Sequence, residues 1–347
     1  MNIVGSILGT AIGDAIGLPY EGLSRGRANH LLGTPDCHRF FFRRGMVSDD
    51  TELTCMVAQA IIASRGDVDA FKRQLSWRFR LWLLGFPAGI GFATLRSIIR
   101  LWIGFSAEKS GVFSAGNGPA VRASIIGAAI DDFELLRRLI YASTRITHTD
   151  PKAEYGALAV ALASRMARQD ETVTGSDFLD QLKTSLGTDG DELVSLIRAA
   201  VNSVESGQPT VAFAESLGLA EGVSGYVYHS VPVAIHAWLS NQWDFRSAIK
   251  HVVECGGDTD STGAIVGGIV GASVGRAGIP ADWIERLCEW PRSIKWMERL
   301  AVQLESAIQS NSPISPVTLP IHGVLFHNLL FLSVVLYHGT RRLLPPY

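Results

Sequence analysis

The chain has 347 residues, of which 47% are hydrophobic and 18% charged, and a formal net charge of −2 at pH 7. This balance argues against a nucleic-acid-binding protein and leaves no field that would draw the whole molecule to anionic lipid. The four cysteines, Cys37, Cys55, Cys255 and Cys288, stand singly, which argues against a disulfide framework or a zinc site and fits a reducing cytosol.

Apolar residues at helical spacing predict helices, in chain order, over 3–17, 50–64, 67–84, 119–129, 132–145, 152–168, 190–204, 225–239, 244–253, 261–276, 293–309 and 321–337. Alternating strand patterns are scarce, so the expectation is a single all-α domain. Its core runs from about 3 to 310, and 311–347 supplies a proline-rich turn and a docking helix. The N-terminal run "MNIVGSILGTAIGDAIG" lacks a basic leader and carries Asp14, which makes it a poor signal peptide. Near the other end, "GVLFHNLLFLSVVLY" (323–337) is short for a spanning helix and holds His327 and Asn328, so it reads as a buried helix. Turn-rich stretches at 22–36, 168–177, 206–210 and 311–320 read as loops. No membrane or nucleic-acid partner is expected, and a monomer is.

Two glycine stripes stand out. Gly5, Gly9, Gly13 and Gly17 recur every fourth residue in the first helix, as do Gly263, Gly267, Gly271 and Gly275 near residue 270. Glycine inside a helix costs up to about 1 kcal/mol against alanine. Such stripes let helix backbones approach closely, so these two helices are expected to pack tightly, with or without chemistry at their ends.

Two acidic clusters open helices: "SDDTELTCM" (48–56) and "GGDTDSTG" (256–263). Read singly, Asp49 and Asp50, or Asp258 and Asp260, can serve as helix caps, and Asp49 with Glu52 resembles a capping box. Read together, two helix starts each carry paired carboxylates flanked by hydroxyls. Oxygen donors of this kind suit hard cations such as Mg²⁺, and carboxylates gathered this closely would repel one another without a cation. Both readings remain open on spacing alone. "GASVG" (271–275) matches the G-x-S-x-G pattern but lies inside the glycine helix, where no nucleophile elbow forms.

Four segments in order resemble the ADP-ribosylglycohydrolase family, which includes the dinitrogenase reductase-activating glycohydrolases. They are "GTAIGDAIGLPYEG" (9–22), "SDDTELTCM" (48–56), "GNGPAVRASIIG" (116–127) with "THTDPKAEYGALAVALA" (147–163), and "GGDTDSTGAIVGGIVGA" (256–272). The resemblance implies an all-α domain with a dinuclear metal cleft holding two Mg²⁺, or Mn²⁺. Ser48, Asp49, Asp50 and Asp260 would hold one ion. Asp258, Asp260 and Ser261 would hold the other, with Asp260 bridging and Ser261 standing where threonine is common. Glu21, on a loop, is the implied catalytic carboxylate beside Asp258 and Asp260. Asn117, Gly118, Arg122 and His148 would line the ADP-ribose cleft. From the residues alone, Glu21 reads as an exposed loop glutamate, while Arg122 could be an ion-pair partner and His148 with "TDP" a cap for the helix after it.

The activity implied is hydrolysis of the N-glycosidic bond between ADP-ribose and a protein side chain, foremost arginine. A serine or nucleic-acid linkage is an alternative, as is an immunity or regulatory protein that binds an ADP-ribosyltransferase toxin or ADP-ribose. An isoprenoid-type synthase fits poorly, since neither acidic cluster reads D-D-x-x-D.

Overall fold

The computed structural model describes residues 2–169, 171–309 and 315–342. It is all-α; among the described residues, extended pairing is limited to isolated bridges. The first part of the chain forms α1 (Ile3–Gly17), α2 (Arg25–Leu32), α3 (Asp49–Ser64), α4 (Val68–Leu83), α5 (Phe92–Trp102), α6 (Gly118–Val121), α7 (Ser124–Ala129), α8 (Phe133–Thr147) and α9 (Pro151–Ala167). The second forms α10 (Gly175–Leu186), α11 (Asp191–Glu205), α12 (Thr210–Ser216), α13 (Val227–Ser240), α14 (Phe245–Val253), α15 (Thr259–Gly278), α16 (Ala281–Glu285), α17 (Ile294–Gln309) and α18 (Ile321–Arg341).

At the centre, α1 and α15 lie antiparallel with their glycine stripes face to face. A Cβ placed on Gly9 would sit 2.0 Å from the carbonyl oxygen of Gly267, and one on Gly13 would sit 2.0 Å from that of Gly263. No side chain larger than hydrogen fits, which accounts for glycine's presence despite its helix penalty. Gly275 (φ 63°) leaves helical geometry, yet it still packs on α1: a Cβ placed on Gly5 would sit 2.7 Å from its Cα. Contact this close fixes the register of the two helices. It sets the last turn of α1 beside the first turn of α15, where the Thr259 hydroxyl donates to the Gly17 carbonyl at 2.9 Å.

Some expectations need correction. The predicted 119–129 helix is two short ones, broken at Arg122 and Ala123. The stretch read as a loop at 22–36 contains α2, whose glycine, asparagine and histidine conceal it and of which only Ala28 is buried. The loop at 168–177 contains the start of α10, capped where the Thr174 side chain accepts the Asp177 N–H. α5 went unread as well.

The C-terminal helix departs furthest. It runs to Arg341 rather than 337, with a length and mean hydropathy (1.4) that match a membrane span, and only five of its 21 residues are buried. Apolar residues run all round it, so one stripe (Gly323, His327, Asn328, Phe331, Val334) packs inward while Phe326, Leu329, Leu336 and Tyr337 stay exposed. Part of the proline-marked turn (310–314) and the "LLPPY" end (343–347) lie outside the described residues.

Candidate active site

The register set by the glycine contact helps bring chain segments distant in sequence around one cavity of about 340 Å³. Its lining includes Glu21, Asp49, Asp50, Asn117, Gly118, His148, Asp258, Asp260 and Ser261. Both acidic clusters and the loop glutamate therefore meet, although more than 200 residues separate the clusters in sequence.

The capping explanation does not account for these carboxylates. Ser48 caps α3: its side chain accepts the Asp50 N–H at 3.2 Å. Asp258 stands at the N-cap position of α15, yet its side chain makes no cap hydrogen bond. Instead its Oδ2 accepts from Asn117 Nδ2 at 2.7 Å. Asp50 Oδ2 accepts from the Ser261 hydroxyl at 2.8 Å, which ties α3 to α15 across the cleft. Asp260 Oδ1 accepts the neighbouring Ser261 N–H at 2.8 Å.

The turn that delivers Asp258 uses glycine's conformational freedom. Gly256 and Gly257 have φ of 73° and 82°, in the left-handed region. The Gly257 N–H donates to Leu23 (3.1 Å), the Gly22 N–H donates to Gly257 (2.8 Å), and the Asp258 N–H donates to Val223 (2.7 Å). The turn is thus held between the loop carrying Glu21 and the loop before α13, and this is how Glu21 reaches Asp258.

Asp14 is a residue that sequence reasoning passed over. It is fully buried in α1, and its carboxylate accepts the backbone N–H of Ser48 (3.0 Å), the N–H of Thr51 (3.3 Å) and the Thr51 hydroxyl (2.5 Å). One carboxylate therefore anchors the whole start of α3 to the glycine helix. Burial raises its pKa to about 7, while its hydrogen bonds to Thr51 and Ser48 oppose the rise. The available signal was a charged residue inside an otherwise apolar, glycine-striped helix.

Burial is also the largest influence raising the pKa of Asp49, Asp50 and Asp260, and the negative charges of neighbouring carboxylates add to it. Glu21 is exposed by surface, but protein atoms crowd its carboxyl. That desolvation raises its pKa, Asp258 adds to the rise, and Arg342 opposes it.

The two basic candidates behave differently. His148 lines the cavity, with Nδ1 2.8 Å from the Thr147 hydroxyl; burial, then the Arg122 charge, lowers its pKa to about 3, so it is a neutral imidazole. It does not cap α9, because Asp150 does, accepting the Lys152 N–H. Arg122 is fully buried behind the cavity wall. It bonds the Ser143 hydroxyl, the Ser143 carbonyl and the Thr147 hydroxyl, and among the described residues it forms no ion pair. In this structure it braces α8 and His148 rather than lining the cleft.

The donor set is all oxygen, and hydroxyls accompany the carboxylates, which fits a hard divalent cation. As the side chains stand, however, no three His, Cys, Asp or Glu groups among the described residues are disposed to hold an ion. The Asn117 and Ser261 bonds occupy oxygens that an ion would claim.

An all-α fold with a carboxylate-lined cleft between two helix starts defines a class, and the family model for ADP-ribosylglycohydrolase matches residues 2–313. The chain belongs to the ADP-ribosylglycohydrolase family and is a hydrolase of ADP-ribose glycosidic bonds. It is 26% identical over 297 residues to the ADP-ribosyl-[dinitrogen reductase] glycohydrolase of Rhodospirillum rubrum, covering 82% of this chain and 89% of that one. It is also 26% identical over 313 residues to the ADP-ribosylarginine hydrolase Tri1 of Pseudomonas putida, covering 86% and 76%. A solved structure titled ADP-ribosylglycohydrolase-related protein complex shares the fold, with TM-score 0.65 and 24% identity over 88% of this chain and 98% of that one.

Proposed function

We propose that this enzyme removes ADP-ribose from arginine side chains of modified proteins, using two Mg²⁺, with Mn²⁺ as a substitute. The observation that carries this reading is the convergence of Asp49, Asp50, Asp258 and Asp260 with Glu21 in one cavity. The arginine linkage is supported by the similarity to the ADP-ribosylarginine hydrolase of Pseudomonas putida.

Ser48, Asp49, Asp50 and Asp260 would hold one ion, and Asp258, Asp260 and Ser261 the other. When bound, the ions supply positive charge that orients the ribose hydroxyls and stabilises charge developing in the transition state. The protein's own groups do the rest. Asp14 keeps the 48–51 turn in place, and Asn117 orients Asp258. A carboxylate oxygen of Glu21 takes the proton from the water that attacks C1″, and its raised pKa brings it nearer the operating pH for that task. The C1″–N bond breaks, and the proton is returned to the departing guanidine. His148, neutral, offers Nε2 towards Gly116 at the cleft wall, where it can hydrogen-bond the ligand without adding charge.

The linkage is tested by comparing kcat/KM on arginine- and serine-linked ADP-ribosyl peptides. Faster turnover of the arginine conjugate is expected. Faster turnover of the serine conjugate would move the assignment to that linkage, and ADP-ribose binding without turnover of either would favour the binding-protein reading.

A further inference from the structure

A second cavity, of about 500 Å³, opens between α3, α4 and the stretch from Pro316 to Leu325, within the size range of small-molecule sites. Its walls include Met56 of α3, Trp77 and Leu81 of α4, Trp296 of α17, and Leu319 and Leu325. The C-terminal wall is pinned in place. Gln59 Nε2 donates to the Val317 carbonyl (2.6 Å), the Val317 N–H donates to Gln303 (2.8 Å), and the Trp296 indole donates to the Thr318 carbonyl (3.1 Å). This wall lies beyond residue 313, where the family match ends.

Two cations border the cavity, in different states. Arg292 is buried and paired with Glu52 at 2.6 Å, and the Trp82 indole donates to the other Glu52 oxygen at 2.5 Å. That charge is matched, although Arg292 Nε has no hydrogen-bond partner among the described residues. Arg78 has no such match. Its guanidinium donates only to the Gln74 carbonyl (3.1 Å) and side-chain oxygen (2.7 Å), and no carboxylate among the described residues pairs with it. Burial lowers its pKa with no neighbouring charge to offset the effect. An uncompensated cation against apolar walls is unfavourable, and an anion beside it would relieve the cost.

We propose that this cavity binds a small amphipathic monoanion, a carboxylate on an aliphatic or aryl body. The carboxylate meets Arg78, and the body packs among Met56, Trp77, Trp296 and Leu325. One negative charge suffices, because Glu52 already neutralises Arg292. An uncharged lipid of the same body leaves Arg78 unmet. The cavity shares α3 with the active cleft: Glu52, Met56 and Gln59 border the first on one helix face, and Asp49, Asp50 and Leu53 border the second on another.

The test is calorimetric titration of the full chain with octanoate and with octan-1-ol. Wild type is expected to bind one octanoate about tenfold more tightly than the alcohol, the advantage of one charge-assisted contact. Arg78→Gln should bring the two within about twofold. Val324→Trp, which fills the cavity, should abolish both. Equal binding of acid and alcohol by wild type would overturn the proposal, as would an octanoate preference that survives Arg78→Gln or binding that survives Val324→Trp. If the tryptophan variant does not fold, the Arg78→Gln comparison decides alone.

Discussion

Arg342 Nη1 donates to the backbone carbonyl of Glu21 at 2.9 Å, and its Nη2 donates to that of Pro19 at 2.8 Å. A side chain at the end of the C-terminal helix thus grips the loop that presents the candidate catalytic carboxylate. The grip is reinforced where Phe331 and Val334 pack with Leu18, Phe40 and Met46 in a small separate apolar cluster. The helix that lies beyond the family match therefore reaches the mouth of the cleft.

If that grip positions Glu21, Arg342→Ala should lower kcat by about 3- to 10-fold, the rate equivalent of roughly one net hydrogen bond, with KM little changed. Arg342→Lys, which can still donate to one carbonyl, should recover part of the loss. A proportional rise in KM at unchanged kcat would show instead that Arg342 serves substrate binding.

The packing of α1 on α15 predicts a sharp positional contrast. Gly13→Ala would place a methyl 2.0 Å from the Gly263 carbonyl oxygen and should destabilise the fold by about 3 kcal/mol or more. Gly26→Ala, in α2 with nothing within 4 Å of the added methyl, should be neutral or stabilising by about 0.5–1 kcal/mol. Thermal melting of the two variants checks both values.

The docking of α18 should depend on pH. His327 Nε2 lies 3.0 Å from Glu289 Oε2, with both side chains buried. Burial lowers the His327 pKa, but the bond to and charge of Glu289 outweigh it, aided by Asn328 and Glu52, and the net shift is upward from 6.5. A histidine pKa raised by folding contributes stability that is full below its unfolded value. That contribution is lost as pH rises through the folded value. Amide exchange in 321–342 should therefore quicken as pH rises above 6.5, after correction for intrinsic rates. His327→Gln should abolish the pH-dependent part.

Much of this architecture was legible in sequence because it rests on local rules. Helical spacing marked most of the long helices, and the paired glycine stripes announced the contact at the centre. The two acidic clusters were legible as candidates from their spacing, Glu21 only through the family resemblance, and the fold brings them together. What escaped depended on tertiary context. Asp14 does not look functional until Ser48 and Thr51 arrive beside it from 34 and 37 residues away. Arg122 matches a binding motif but is turned into the wall, where Ser143 and Thr147 claim it. α18 was misjudged because an apolar composition predicts burial, while the domain surface offers it only one stripe of contacts.

The central claim is that the converging carboxylates form a cation-dependent hydrolytic site, and release of free ADP-ribose from an arginine-ADP-ribosylated protein tests it most directly. The assay compares wild type with Asp258→Asn, each with Mg²⁺ and with EDTA, using preparations of matched melting temperature. The account predicts rapid release by wild type with Mg²⁺, falling by at least about 100-fold with EDTA and also with Asp258→Asn. Release that ignores EDTA, or an Asp258→Asn enzyme as fast as wild type, would contradict it.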